Sequence, residues 1–359
     1  MAFAATVLIG CDMKLPVIEY EALYEDEYVL FADSIVGIVD GKRQYVNTGS
    51  ATCMLLDTVA DFNDDGFADA LVTDVQACGG NAIGNAFFFI TYTRGGRFVR
   101  TNTFGTCVYD EPVVELWEGM KSVVINEEKY DPFTEEVEMH DERYVLVDTF
   151  ALRAVSPSTI TPMPSISFRD WQKEAQLRDM GEAEECSGDS LQEEPDSDSS
   201  IFDDLYSGHC SWYCGGEVQD ITASSSPKDY EADKAHDFDH TTFWSPSGSG
   251  IGESLVYTFH GSCPRITTIK VLNGDVTNEE LWIQSARVKL MRMYVNDKPY
   301  ALLAFEDSRT QQCFDIGIVG FHDPKAADWT ITFEILETYP GTLRGVAIAE
   351  LNFDGIDVH

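Results

Sequence analysis

Trp329-Thr330-Ile331-Thr332-Phe333-Glu334-Ile335 decides the reading of the fold. Large apolar side chains fall at every second position, and Thr or Glu fills the positions between. Successive side chains of an extended chain point to opposite faces, so this period of two places one face on a core and the other in water. Working outward, comparable runs occur at 255–259, 266–271, 288–295, 301–305, 314–318 and 346–348. Asn296-Asp297 and Asn273-Gly274 read as hairpin turns between such runs. Short strands without long helical patterns predict a β-sandwich over residues 208–359.

Upstream, residues 16–168 carry a second set of short runs rich in Val, Ile, Phe and Tyr. Ile35-Val36-Gly37-Ile38-Val39, Ala86-Phe87-Phe88-Phe89-Ile90 and Ser122-Val123-Val124-Ile125 are examples. Turn signals such as Asp40-Gly41 and Gly95-Gly96 punctuate them. This half also reads as β-rich. Between the halves, residues 169–207 change character. Eleven acids lie between Asp179 and Asp204, and no Lys or Arg occurs between Arg178 and Lys228. Like charges repel, so this stretch reads as an acidic linker.

The whole chain has 359 residues, with 62 Asp and Glu against 24 Lys and Arg, for a formal net charge of −38. Binding to phosphate backbones rests on basic patches, so the balance argues against a nucleic-acid partner. It also disfavours adsorption to anionic lipid. It suits cations and neutral ligands such as sugars. Nine cysteines are present. Setting Cys11 aside leaves an even eight, which fits an oxidising compartment. Cys210 and Cys214 are expected to bridge within their loop, or to Cys263 or Cys313; the pairing is left open.

Asp61-Phe62-Asn63-Asp64-Asp65-Gly66-Phe67-Ala68-Asp69 is the sharpest local motif. Oxygen-bearing side chains fall at its positions 1, 3, 5 and 9, with a glycine at 6 and the Phe67 carbonyl at 7. That is the ligand order of a Ca²⁺ loop, so Asp61, Asn63, Asp65, Phe67 and Asp69 are candidate ligands. The alternative is an acidic turn that holds no ion. Val72 stands where an EF-hand would have its acid, and a strand follows. The motif resembles the loops of FG-GAP repeats, and with Cys78-Gly79-Gly80-Asn81 it resembles bacterial lipoprotein domains that carry such a loop. Val7-Leu8-Ile9-Gly10-Cys11 is similar to a bacterial lipobox, which implies lipidation at Cys11 and a residue 1–15 signal remnant. The run is short and no Lys or Arg precedes it, which leaves a clipped remnant or a buried N-terminal strand as the alternative. Such an anchor would be the only membrane attachment expected, since no stretch approaches the ~18 apolar residues of a spanning helix.

Ala235, Asp237, Thr242 and Trp244 fit the spacing of discoidin-like, coagulation-factor type C domains, with Phe238 where that pattern has glycine. Cys210-Ser211-Trp212-Tyr213-Cys214-Gly215-Gly216, Gly250-Ile251-Gly252-Glu253, Ser285-Ala286-Arg287-Val288-Lys289 and the terminal Phe353-Asp354-Gly355 resemble one subfamily of them, the NADase-type glycan-binding domain. The resemblance implies a galactose-binding-like jelly roll over 208–359 that binds glycans. It also implies a structural Ca²⁺ held by Asp237, Thr242 and Glu350. Side-chain capping of the turn is the alternative role for Asp237 and Thr242.

Trp212 and Tyr213, in a Gly-rich polar loop, are candidate sugar-stacking rings, burial in the core being the alternative. Asp239, His240 and Arg287 are candidate hydrogen-bonding partners of sugar hydroxyls. His236 and His240 lie on a turn, where they share no face for zinc. No G-x-S-x-G elbow, phosphate loop or H-E-x-x-H occurs in the chain. The expectation is therefore a mainly β, two-domain, non-catalytic carbohydrate-binding protein of the cell envelope or exterior. Its alternatives are a protein-binding adhesion or inhibitor protein and a carbohydrate-active hydrolase.

Overall fold

In the computed structural model the described residues are 15–24, 30–76, 84–108, 110–130, 137–161 and 212–357. Cys11, Cys210 and the acidic linker 169–207 lie outside them. The chain divides into two compact units, Met1–Arg153 and Ala154–His359. No described helix is long and apolar enough to cross a membrane.

The first unit is built from antiparallel strands. β1 (Ile18–Leu23), β2 (Ser34–Val39) and β3 (Lys42–Tyr45) form one sheet. Asp40-Gly41 closes the β2–β3 hairpin, both residues having φ in the left-handed region. β4 (Met54–Ala60), β5 (Asp69–Gln76) and β6 (Gly84–Tyr92) pair in order, and both β7 (Phe98–Arg100) and β8 (Phe104–Val108) add to β6. β9 (Val113–Trp117), β10 (Met120–Tyr130), β11 (Val137–Val147) and β12 (Phe150–Val155) make a meander. The apolar run in β6 has a direct cause. Phe87 and Phe89 pack into one cluster with Leu71, Phe104, Ile125 and Tyr144, while Phe88 and Ile90 pack into another with Ile35, Met54 and Val72. A strand buried on both faces needs no polar alternation.

The second unit is the sandwich. β13 (Thr159–Thr161) opens it, so it begins upstream of residue 168, where the sequence reading ended the first domain. β14 (Val218–Ala223), β15 (Ser254–Phe259), β16 (Ile266–Asn273), a one-turn helix α1 (Glu279–Gln284), β17 (Arg287–Val295), β18 (Lys298–Ala304), β19 (Gln311–Val319), β20 (Trp329–Tyr339) and β21 (Ile348–Gly355) follow. One sheet runs β14-β15-β20-β17-β18 and the other β13-β19-β16-β21, every pair antiparallel. The inward residues interdigitate as one core. Tyr257, Phe259, Met293, Ile331 and Phe333 come from the first sheet, and Ile269, Val271, Phe314, Leu351 and Phe353 from the second. Asn296-Asp297 forms the expected two-residue hairpin between β17 and β18, with φ of 48° and 61°. Asn273-Gly274 does not form a hairpin. Asn273 is buried and clamps the Val288 backbone, its Nδ2 donating to the carbonyl at 2.7 Å and its Oδ1 accepting the N–H at 2.8 Å. It thus ties β16 to β17 in the opposite sheet.

Candidate functional site

The turn after β14 carries the family-like spacing. Asp237 Oδ1 accepts the Asp239 N–H at 3.1 Å, and Asp239 Oδ1 accepts the Thr241 N–H at 3.1 Å. Thr242 Oγ lies 2.8 and 2.9 Å from the two Asp237 oxygens and donates its single proton between them. The turn is therefore capped by its own side chains. Phe238 has φ of 57°, the left-handed backbone that a glycine would take there. Glu350 reaches the turn from β21 and is 4% exposed. Its Oε1 is buried without a hydrogen-bond partner, while Oε2 accepts from Asn352 at 3.2 Å. Burial, then the charge of Asp237, pushes the Glu350 carboxyl well above the ordinary glutamate range.

The loop in the first unit repeats the pattern. Asp61 accepts the Asp65 and Gly66 N–H groups at 3.2 and 3.0 Å, and Asp65 accepts that of Phe67 at 2.9 Å. Asn63 Oδ1 also lies 3.2 Å from the Asp65 nitrogen. Asp69 closes the loop, fully buried, with Oδ2 accepting the Phe62 N–H at 2.9 Å and Oδ1 lacking a partner. Burial, reinforced by the charges of Asp65 and Asp61, raises Asp69 to about 7. Lys121 donates to the Asp61 carbonyl at 2.7 Å. Among the described residues no three His, Cys, Asp or Glu side chains already stand at metal-holding spacing.

The expected sugar-contact residues are elsewhere engaged. Trp212 is fully buried, its Nε1 donating to the Pro264 carbonyl at 3.0 Å, with Phe259 and Phe353 around the ring. Tyr213 packs edge-on against Trp212, and its hydroxyl accepts the Phe353 N–H at 2.8 Å. Trp212 offers no ring face to a sugar, because Gly216 lets the chain fold tightly over the indole, where a Cβ would stand 2.5 Å away, and the half-buried Tyr213 ring packs against Trp212, His236 and Phe238. Arg287 is spent as well. It grips Asp307 at 2.9 Å through both Nε and Nη2, donates to the Ser285 carbonyl at 2.8 Å, and lies 4.5 Å over the Trp282 ring. Asp239 and His240 are 2% and 8% exposed, within the turn. Trp244 is buried as a core residue. Cys263 is a free buried thiol whose Sγ lies 3.4 Å from the Glu217 carbonyl, and the pairing of Cys210 lies outside the described residues.

What the second unit does expose is the outer face of β15, β20 and β17. Ser254 stands opposite Glu334, and Thr332 opposite Tyr294. With Gly252 and Asp297 they line a trough of about 340 Å³. The Tyr294 hydroxyl donates to Glu334 Oε2 and lies 3.4 Å from Arg292 Nη1. The alternation of 329–335 already placed Thr332 and Glu334 outward; that Tyr294 stands beside them follows only from the β17–β20 register.

Two facing antiparallel sheets, with a capped turn abutting the last strand, define the second unit as a discoidin-like β-sandwich jelly roll. Residues 212–354 match the family model of the NAD glycohydrolase translocation F5/8 type C domain. Weaker likenesses run to three solved structures. The family 32 CBM from C. perfringens NanJ in complex with galactose is 14% identical over 37% of this chain and 91% of that chain, with a TM-score of 0.28. The CBM32-1, CBM32-2 and M60 catalytic domains of Clostridium perfringens ZmpB give 15% identity, 43% and 15% coverage, and a TM-score of 0.33. Paenibacillus xanthan lyase gives 5% identity, 81% and 21% coverage, and a TM-score of 0.24. No curated protein matches the chain.

Proposed function

We propose that the second unit is a non-catalytic carbohydrate-binding module that seats a sugar in the trough beside Tyr294. The trough carries this reading. Its volume of about 340 Å³ suits a small ligand, and it offers one aromatic ring with hydroxyl and carboxylate groups. Glu334 accepts sugar hydroxyls through Oε1, since its bond from Tyr294 occupies Oε2. Thr332 and Ser254 both donate and accept. The Tyr294 ring covers a C–H face of the sugar. The family match over 212–354 and the galactose bound by the family 32 CBM of NanJ are consistent with a glycan ligand.

Calcium belongs to the same reading. The orphaned Glu350 Oε1 and Asp69 Oδ1 are buried carboxyl oxygens, hard donors of the type that Ca²⁺ takes once it displaces their protons. Asp237, Thr242 and Glu350 would hold one ion between the first loop and the last strand. Asp61, Asn63, Asp65, the Phe67 carbonyl and Asp69 would hold another. Each ion would stabilise its unit by mass action. The protein acts in this reading outside the cytoplasm, secreted or tethered to the envelope through Cys11.

A glycan array with the full chain, with and without EDTA, tests the reading. Wild type binds a glycan, and Tyr294→Ala weakens that binding by about tenfold or more, the loss of one buried aromatic contact. Absence of binding to any glycan in either condition overturns it. Turnover of a bound glycan that is lost in Glu334→Gln would instead make the trough, with Asp297 as the second acid, a hydrolase site.

A further inference from the structure

One stretch of the first unit departs from the acidity of the rest. From Val75 to Tyr109 the chain holds no Asp or Glu, yet it holds Arg94, Arg97 and Arg100. In a chain with 62 acids against 24 bases this is a local reversal of sign. Two of the three arginines line a cavity of about 440 Å³, together with Asn47, Gly49, Phe98 and Val99. No carboxylate is among these lining residues.

The donors there are held in place. The Arg100 guanidinium lies 4.2 Å over the buried Phe88 ring. Its Nη2 donates to Thr103 Oγ1 at 2.8 Å and its Nη1 to the Thr101 carbonyl at 3.4 Å. These contacts fix the plane of the fork, while Nε is buried without a hydrogen-bond partner. Burial pulls the Arg100 pKa down, and the charge of Asp74 opposes it only in part. Arg97 is exposed and makes no ion pair among the described residues. The Gly49 N–H donates to Asn47 Oδ1 at 3.0 Å, which leaves the Asn47 amide hydrogens as donors. Two arginines and an asparagine thus line a cavity whose other lining residues, Gly49, Phe98 and Val99, carry no charge.

We infer that this cavity binds a carboxylate carried on a small ring, as in a uronic acid, with Arg97 and Arg100 on the carboxylate and Phe98 and Val99 against the ring. A planar carboxylate accepts two parallel N–H donors from a guanidinium, a match that neutral hydroxyls do not make. Charge repulsion from the rest of the chain makes such a site selective, because only the local arginines favour an anion.

Calorimetric titration of the full chain with D-glucuronate, and separately with its methyl ester, tests this. Glucuronate binds saturably, and the ester binds at least about tenfold more weakly. Arg97→Gln, at an exposed position that leaves the fold intact, weakens glucuronate binding by about tenfold, and Arg100→Gln does the same. Arg94→Gln, outside the cavity lining, leaves it unchanged. No saturable binding by wild type overturns the inference. So does equal binding of acid and ester, unaltered binding in Arg97→Gln, or an equal loss in Arg94→Gln, which would reveal a diffuse charge effect.

Discussion

At the scale of single residues, Phe238 shows how one side chain can keep a turn that its backbone disfavours. A bulky residue at φ of 57° carries roughly 1–2 kcal/mol of backbone strain. The ring offsets this by packing edge-on against Tyr213, 5.1 Å between centroids, and beside His236 at 5.3 Å. The two contributions separate by substitution. Phe238→Ala loses the ring and keeps the strain; Phe238→Gly loses the ring and relieves it. The glycine variant is therefore expected to be the more stable of the two by about 1 kcal/mol, read from urea midpoints. Equal midpoints would show that the turn stores no strain. Trp212 teaches the converse lesson about sequence reading. Its Gly-rich, polar neighbours suggest an exposed loop, but Gly216 serves to bring the chain close over a buried indole. Arg287 was equally opaque, because Asp307 lies twenty positions away and is reached only through the sheet.

At the scale of elements, the Asp61–Asp69 loop links sequence spacing to stability most directly. Asp69 titrates near 7 when folded and in the ordinary aspartate range, about 4, when unfolded. Between those values the folded loop keeps a proton that the unfolded chain has released. Without a divalent ion, the stability this carboxyl lends is fully present below about pH 4 and is lost as pH rises through 7. In EDTA the urea midpoint of the first unit should fall from pH 5 to pH 7.5, and Asp69→Asn should flatten that fall. Saturating Ca²⁺ should remove it in wild type. A midpoint indifferent to both pH and Ca²⁺ would reduce the loop to an acidic turn. The elements themselves were largely legible. Period-two runs located β15, β17 and β20, and Asp40-Gly41 and Asn296-Asp297 located two hairpins. Asn273-Gly274 misled because its local turn chemistry serves a long-range clamp between sheets, and α1 is too short to show a helical period.

At the scale of the whole molecule, a net charge of −38 repels itself in the compact state more than in the extended one. Monovalent salt screens that repulsion, with a screening length of about 10 Å at 0.1 M. Raising NaCl from about 10 mM to 0.3 M in EDTA should therefore raise the melting temperature, and Ca²⁺ at millimolar levels should exceed this increment if it occupies discrete sites. Equal effects of Ca²⁺ and NaCl at matched ionic strength would mean screening alone. Finally, Trp212 and Tyr213, where the described chain resumes ahead of β14, are fastened to Pro264 and to Phe353 of the last strand. The segment ahead of β14 and the last strand thus meet at one seam. Tension applied between Trp212 and Gly355 would load that seam, a buried indole and a tyrosine hydroxyl bond, which lies at Pro264 and Phe353 and not among the residues that line the trough.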